Sequence, residues 1–192
     1  MPADPLLWLL GDEAASLLAE AAESPVDPAS VSRLRKQLGD SPSAAAKVAA
    51  VLELTELRWR AAVKFPYAAR MFFTRKGYEQ ATDAVVARYK AERFAKLGRV
   101  VDACCGIGGD LIALADAAND CVGIDADPVI AAYAERNVRE CGRSATVESY
   151  ELAANNLPGC DAWHVDPDRR PAGRRTTDPA SHEPSLATLE SW

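Results

Sequence analysis

The stretch Val100-Val101-Asp102-Ala103-Cys104-Cys105-Gly106-Ile107-Gly108-Gly109-Asp110 constrains the fold more than any other part of the chain. An apolar run meets an acid, opens into glycines and becomes a helical pattern, which reads as strand, tight turn, helix. Gly106, Gly108 and Gly109 permit positive φ and a close approach of a ligand to the main chain. A second apolar run, Cys121-Val122-Gly123-Ile124-Asp125, ends in an acid 23 residues after Asp102. In a βαβ unit such an acid sits at the carboxyl end of the neighbouring strand, where it can accept hydrogen bonds from both ribose hydroxyls of a nucleoside. A ligand lying across the turn is expected.

The hydrophobic period places the rest around this motif. From Arg99 the chain alternates: strand 99–103, helix 109–118, strand 121–125, helix 128–141, strand 145–149 and strand 161–165. This predicts an α/β fold, a Rossmann-like doubly wound parallel sheet of about four strands. Asp127-Pro128 starts the second of these helices and Gly142 ends it. Residues 1–94 read as an all-helical N-terminal module, 95–175 as the partial Rossmann-like domain and 176–192 as an irregular tail. In the module, Leu7, Leu10, Ala14, Leu17, Leu18 and Ala21 draw one apolar stripe. Asp27-Pro28 and Ser41-Pro42 open two more helices. The longer of them is expected to face inward through Val48, Leu52, Thr55, Trp59 and Ala62, with Glu53, Glu56, Arg58 and Arg60 outside. Lys64-Phe65-Pro66 breaks it. A short amphipathic piece, 67–73, and a polar turn, 74–83, follow, with Thr82 as the cap of a helix running to about Phe94.

After Asp166 the pattern collapses into Pro171, Gly173, Pro179 and Pro184, whereas a complete doubly wound domain continues with further strands. A truncated chain is therefore expected, with the fourth strand leaving a backbone edge that invites a homodimer. At 192 residues, 48% apolar and 26% charged, the chain suits a folded core. It has no apolar run of the roughly 18 residues a membrane span needs, and the opening Met1 to Leu10 lacks a basic flank. A cytoplasmic protein without membrane partners is expected. The net charge of −6 argues against indiscriminate nucleic-acid binding but leaves room for a local basic patch. The five cysteines (104, 105, 121, 141 and 160) form no CxxC pair and read as small thiols at strand ends, with no metal site.

The spelling of the turn narrows the ligand. A dinucleotide site uses G-x-G-x-x-G to seat a pyrophosphate, whereas this turn is D-x-C-C-G-x-G-G. S-adenosylmethionine has no pyrophosphate and bears an ammonium, so the acid suits it, and an NAD-dependent oxidoreductase is disfavoured. With these residues the chain resembles the class I S-adenosylmethionine-dependent methyltransferases. Residues 102–110 look like their first motif, and Gly123-Ile124-Asp125-Ala126-Asp127-Pro128 like their second. The stretches 64–75 and 79–82 are similar to a bacterial group of methyltransferases with a C-terminal THUMP-like domain, with trimethylguanosine synthase more distant. The likeness covers about 45–175 and does not reach a THUMP-like part.

The resemblance implies that Asp102, Cys104, Gly106, Gly108 and Gly109 meet the methionine moiety of the cofactor. It implies that Asp125 and Ala126 hold the ribose side, and that Glu151, or Glu148, stands near the adenine. Asp127 is a helix cap or a further contact. At the end of the fourth strand Asp166-Pro167 is the expected acceptor-positioning pair. Amino-group methyltransferases have an aromatic after two prolines there, but here Asp168-Arg169-Arg170 follows, which is closer to the Asp-Pro-x-Arg of some RNA methyltransferases. Arg169 and Arg170 would then meet substrate phosphates. The expected function is S-adenosylmethionine-dependent methylation of RNA, tRNA or rRNA. A small-molecule or protein acceptor is the first alternative, and a non-catalytic module retaining the cofactor half-site is the second.

Overall fold

Three helices near the N-terminus begin on one two-residue device, an oxygen-bearing cap followed by proline. In the computed structural model, which describes residues 4–23, 27–153, 155–167 and 177–191, Asp4 accepts a hydrogen bond from Leu6 N–H at the start of α1 (Pro5–Trp8). Gly11 separates α1 from α2 (Asp12–Ala22). Asp27 and Ser30 form a reciprocal capping box at the start of α3 (Pro28–Leu38). Ser41 caps α4 (Pro42–Ala61) through Ala44 N–H. Proline at the first helical position costs nothing there, because its missing N–H would be unbonded anyway. Gly39, at φ +87°, ends α3 where a side chain would be strained.

The chain divides into two compact units, one ending at Tyr78 and the other starting at Glu79. In the first, α4 is the axis on which α1, α2 and α3 pack. Its buried residues are Ala44, Val48, Ala50, Val51, Leu54, Leu57 and Ala61. The expected inward face is therefore corrected: only Val48 of that set is buried, and Trp59 is 83% exposed. Apart from Ala50, both sets follow steps of three and four, and the apolar run from Val48 to Leu52 offers two adjacent faces. The choice falls to the tertiary partners. The stripe at the N-terminus is corrected too, since Leu7 is exposed and Leu9 is buried in its place. Residues 67–70 form successive turns instead of a helix, and Met71, Phe72 and Phe73 bury their side chains without regular structure. A short helix, α5 (Arg75–Gln80), stands where a polar turn was expected.

In the second unit, α6 (Ala84–Ala91) runs through a single 3-10 turn to Phe94 and packs on α7 (Gly109–Ala117). Its cap is Asp83, which accepts from Val85 N–H, and not Thr82. Then come β1 (Arg99–Ala103), α7 (Gly109–Ala117), β2 (Asp120–Asp125), α8 (Pro128–Glu140), β3 (Thr146–Ser149) and β4 (Ala162–Val165), within a residue of the expected bounds. The sheet is parallel throughout, in the order β3-β2-β1-β4. Val101 stands opposite Val122 on one side and Trp163 on the other, so β1, like β2, is an inner strand. Side chains alternate across it. Val100 joins Leu111, Leu114, Ala87 and Ala91 on the helix side, while Val101, Ala103, Val122 and Ile124 pack with Tyr150, Leu152 and Leu157 on the other. The tail holds a 3-10 turn, Pro179–Ser181, and a short helix, α9 (Leu186–Glu190), capped by Ser185. Among the described residues no helix is long and apolar enough to cross a membrane.

Candidate functional site

The carboxyl ends of parallel strands, where the loops leave the sheet, are where open α/β folds bind ligands. Here that edge carries a cavity of about 630 Å³. Its walls come from the ends of three strands: Cys104 after β1, Ile124, Asp125 and Ala126 around the end of β2, and Tyr150, Glu151 and Leu152 after β3. The segment 180–185 and Thr188 close a further side. Of the residues expected at the cofactor, Cys104, Asp125, Ala126 and Glu151 line this cavity, and Asp102, Gly106, Gly108 and Gly109 do not. Glu148 is exposed on β3, away from the lining.

Asp125 is held from two directions. Gly106 N–H donates to its Oδ2 at 3.0 Å and Asp127 N–H to its Oδ1 at 3.0 Å. The first bond ties the end of β2 to the glycine turn. Cys105 N–H, bonded to Ile124 O at 2.8 Å, does the same one residue earlier. Two backbone bonds fix the plane of a carboxylate, a group with about four acceptor sites. Asp127 acts as the cap of α8, accepting from Val129 N–H at 2.8 Å and Ile130 N–H at 3.3 Å.

The turn's glycines divide their work. A side chain at Gly106, where φ is +55°, would meet nothing within 4 Å, so this part of the turn is open. Gly108, at φ +87°, lies 3.4 Å from Ala134 Cα of α8 measured from an added Cβ, and Gly109 would lie 3.3 Å from the Thr82 backbone. Those two serve helix packing as well as the turn. Cys104 adopts φ +68° without being glycine, a conformation that costs an ordinary residue roughly 1 kcal/mol. Desolvation and the Asp125 and Asp102 carboxylates push its thiol up to about 11, so it is no thiolate nucleophile at neutral pH. All five cysteines are free.

Asp102 belongs to a different group. It is 2% exposed, its Oδ2 has no hydrogen-bond partner, and burial pushes its carboxyl up to about 7. In the register it stands opposite His164 of β4. His164 Nε2 lies 3.3 Å from Asp110 Oδ2. That oxygen also accepts from Thr82 Oγ1 at 2.8 Å and Lys90 Nζ at 3.0 Å. Lys90 Nζ reaches on to Asp166 Oδ2 at 2.8 Å and Thr82 Oγ1 at 3.0 Å. Thus Lys90 ties the half-exposed Asp166, just beyond β4, to the buried first turn of α7. Burial opposes charge in this cluster. The paired carboxylates nonetheless raise Lys90, and Asp110 raises His164, while His164 and Lys90 hold Asp110 below the usual carboxylate range. Pro167 is half-buried beside Asp166; Arg169 and Arg170 lie outside the described residues.

Thr82, Lys90, Asp110 and His164 were missed as a group by the sequence reading. Lys90 sits in an ordinary helical pattern, and the four come from α6, its approach, α7 and β4. The one available signal was Asp110, an acid directly after the glycines in the first turn of a helix.

A parallel sheet in this order, with a glycine turn after β1 and an anchored acid ending β2, defines the class I methyltransferase fold. The relatives agree with it. The chain is 37% identical over 155 residues to an uncharacterised S-adenosylmethionine-dependent methyltransferase found in two strains of Mycobacterium tuberculosis. The match takes in 72% of this chain and 40% of that protein. The chain thus spans about two fifths of the length of the curated relatives it matches. Among solved structures, a protein of Porphyromonas gingivalis W83 assigned as a methyltransferase superposes over 95% of this chain and 43% of its own, with a TM-score of 0.65 and 25% identity. No protein-family model matches.

Proposed function

We propose that this chain carries the cofactor-binding half of an S-adenosylmethionine-dependent methyltransferase whose acceptor is RNA, tRNA or rRNA, in the cytoplasm. The observation that carries the reading is the Asp125 carboxylate, fixed by Gly106 and Asp127 N–H groups at the wall of a 630 Å³ cavity. Such a carboxylate is suited to a pair of ribose hydroxyls. The cavity's size is within the range of small-molecule sites. The identity of 37% to the mycobacterial methyltransferases supports the same cofactor.

Asp125 and Ala126 would hold the nucleoside, with Tyr150 and Glu151 on the base side. Gly106 leaves the turn open, and the unpartnered Oδ2 of the buried Asp102 suits the charge of an amino acid ammonium. When bound, the cofactor supplies a sulfonium methyl that is already electrophilic, so the protein's task is alignment and exclusion of water. Asp166, held by Lys90, would orient the acceptor.

The test is to incubate the chain with methyl-tritiated S-adenosylmethionine and unmodified tRNA and rRNA transcripts. Nuclease-sensitive label is the expected result. Label in a protein or small-molecule fraction would contradict the RNA acceptor. No label anywhere, from a chain that binds the cofactor, would contradict the activity of this chain.

A further inference from the structure

Residues 57–78 hold six basic side chains (Arg58, Arg60, Lys64, Arg70, Arg75 and Lys76) and no acidic one, in a chain of net charge −6. The same segment carries six aromatic residues. Part of this is architecture. Arg58 donates to Met71 O at 2.8 Å and Arg70 O at 3.3 Å, and Phe65, Phe72 and Phe73 are buried. Lys64 and Tyr78 are half-buried, with Lys64 donating to Tyr78 O at 3.0 Å, and the rest faces outward. Trp59 is 83% exposed, Val63 85% and Tyr67 44%, although folding normally hides residues of this kind. Arg60 and Lys64 converge on the Tyr78 ring, at 5.2 and 4.8 Å, and Arg70 lies 5.1 Å over Tyr67. Glu56 is 3.6 Å from Arg60 and Glu53 is 3.2 Å from Arg75, both in exposed pairs that salt screens.

We infer that this face of the N-terminal unit is a docking surface for single-stranded RNA, an inference that rests on the RNA acceptor proposed above. Exposed rings offer stacking platforms that any base can use, and cations set among them meet the backbone phosphates. The charge of the segment complements a polyanion, whereas the chain as a whole would repel one. A membrane surface is the less fitting occupant. It calls for a continuous apolar helix face, and here the exposed apolar residues are few, with Glu53 and Glu56 on the same helix.

The experiment is fluorescence anisotropy of the whole chain with a labelled oligouridylate of about twelve nucleotides across a salt series. Calorimetric titration with S-adenosylhomocysteine is run on the same preparations. Native chain should bind the oligonucleotide with affinity that falls as salt rises. Arg60→Gln with Arg70→Gln should weaken binding and lower the salt slope by about 1.4, two single-strand phosphate contacts' worth. Trp59→Ala should cost about tenfold and leave the slope unchanged, and Trp59→Phe should recover most of it. Trp59 is so exposed that its replacement should leave the melting temperature unmoved. Oligonucleotide binding that ignores all three variants overturns the assignment, as does preferential binding to phosphatidylserine vesicles. No oligonucleotide binding by a chain that takes up S-adenosylhomocysteine overturns the docking surface and spares the cofactor site. Loss of both ligands by a folded chain overturns the docking surface and the methyltransferase reading together.

Discussion

Asp102 shows how a single residue reports on its surroundings. Its carboxyl ionises near 3.8 when solvated and near 7 in the fold, because burial disfavours the charge. Between those values the folded chain holds a proton that the unfolded chain releases, so stability falls as pH rises from about 4 to 7. His164, also raised, acts in the same direction, because its favourable contact with Asp110 weakens as it loses its proton. Asp102→Asn removes the carboxyl's share. The variant should be the more stable protein near pH 8, by up to roughly 4 kcal/mol, and should lose that advantage towards pH 4. Thermal melts of both proteins across this range test it, and a gain that is independent of pH would contradict the shift. Gly123 is the steric counterpart. An added Cβ would sit 2.5 Å from Leu111 Cδ2 and 3.1 Å from Cys105 Sγ. Gly123→Ala should therefore cost about 1–3 kcal/mol by overpacking, read as a lower melting temperature. A melting temperature equal to the native one would show that Leu111 has room to move.

At the scale of elements, Lys90 links α6, the first turn of α7 and the end of β4 through Asp110 and Asp166. Removing one partner of a buried ion pair costs about 3–5 kcal/mol, but Lys90 and especially Asp166 retain contact with water, which reduces the expected loss for Lys90→Met to about 1–3 kcal/mol. Adding Asp110→Asn should return part of it, since the two losses share one interaction. Urea unfolding of the two single variants and the double variant tests the coupling, and strictly additive losses would argue against it. The elements themselves were largely legible in the sequence. Asp27-Pro28, Ser41-Pro42 and Asp127-Pro128 marked helix starts because a cap followed by proline has few other uses. The inner strands β1 and β2 stood out because their apolar runs are buried on both faces. The inward face of α4 was not legible, since a run such as Ala49-Ala50-Val51-Leu52 is apolar all round and only α1, α2 and α3 decide which side they cover. Nor was the Thr82 role: a threonine before a helix reads as a cap, and the adjacent Asp83 takes that place while Thr82 turns to Asp110.

For the whole molecule, the proposed cofactor site lies at the carboxyl edge of the sheet. The strand-turn-helix motif at 99–110 and the acid at 125 located that edge from sequence alone, because a glycine turn and an acid at this separation are needed only where two neighbouring strands present their ends together. Tyr150 and the 180–185 segment could not be found in the same way, since they reach the cavity through irregular chain that carries no periodic signal. The basic and aromatic segment 57–78 was visible as composition, but only the exposure of Trp59 and Val63 separates it from packing. The central claim is that the anchored Asp125 carboxylate holds the nucleoside of S-adenosylmethionine. It is tested most directly by calorimetric titration of the chain with S-adenosylhomocysteine and NAD, for native protein and Asp125→Asn. The account predicts binding of S-adenosylhomocysteine but not NAD, and a loss of about tenfold or more in the variant, the usual cost of one charged hydrogen bond or more. Equal affinity in native and variant protein, with both folded, or tighter binding of NAD, would contradict it.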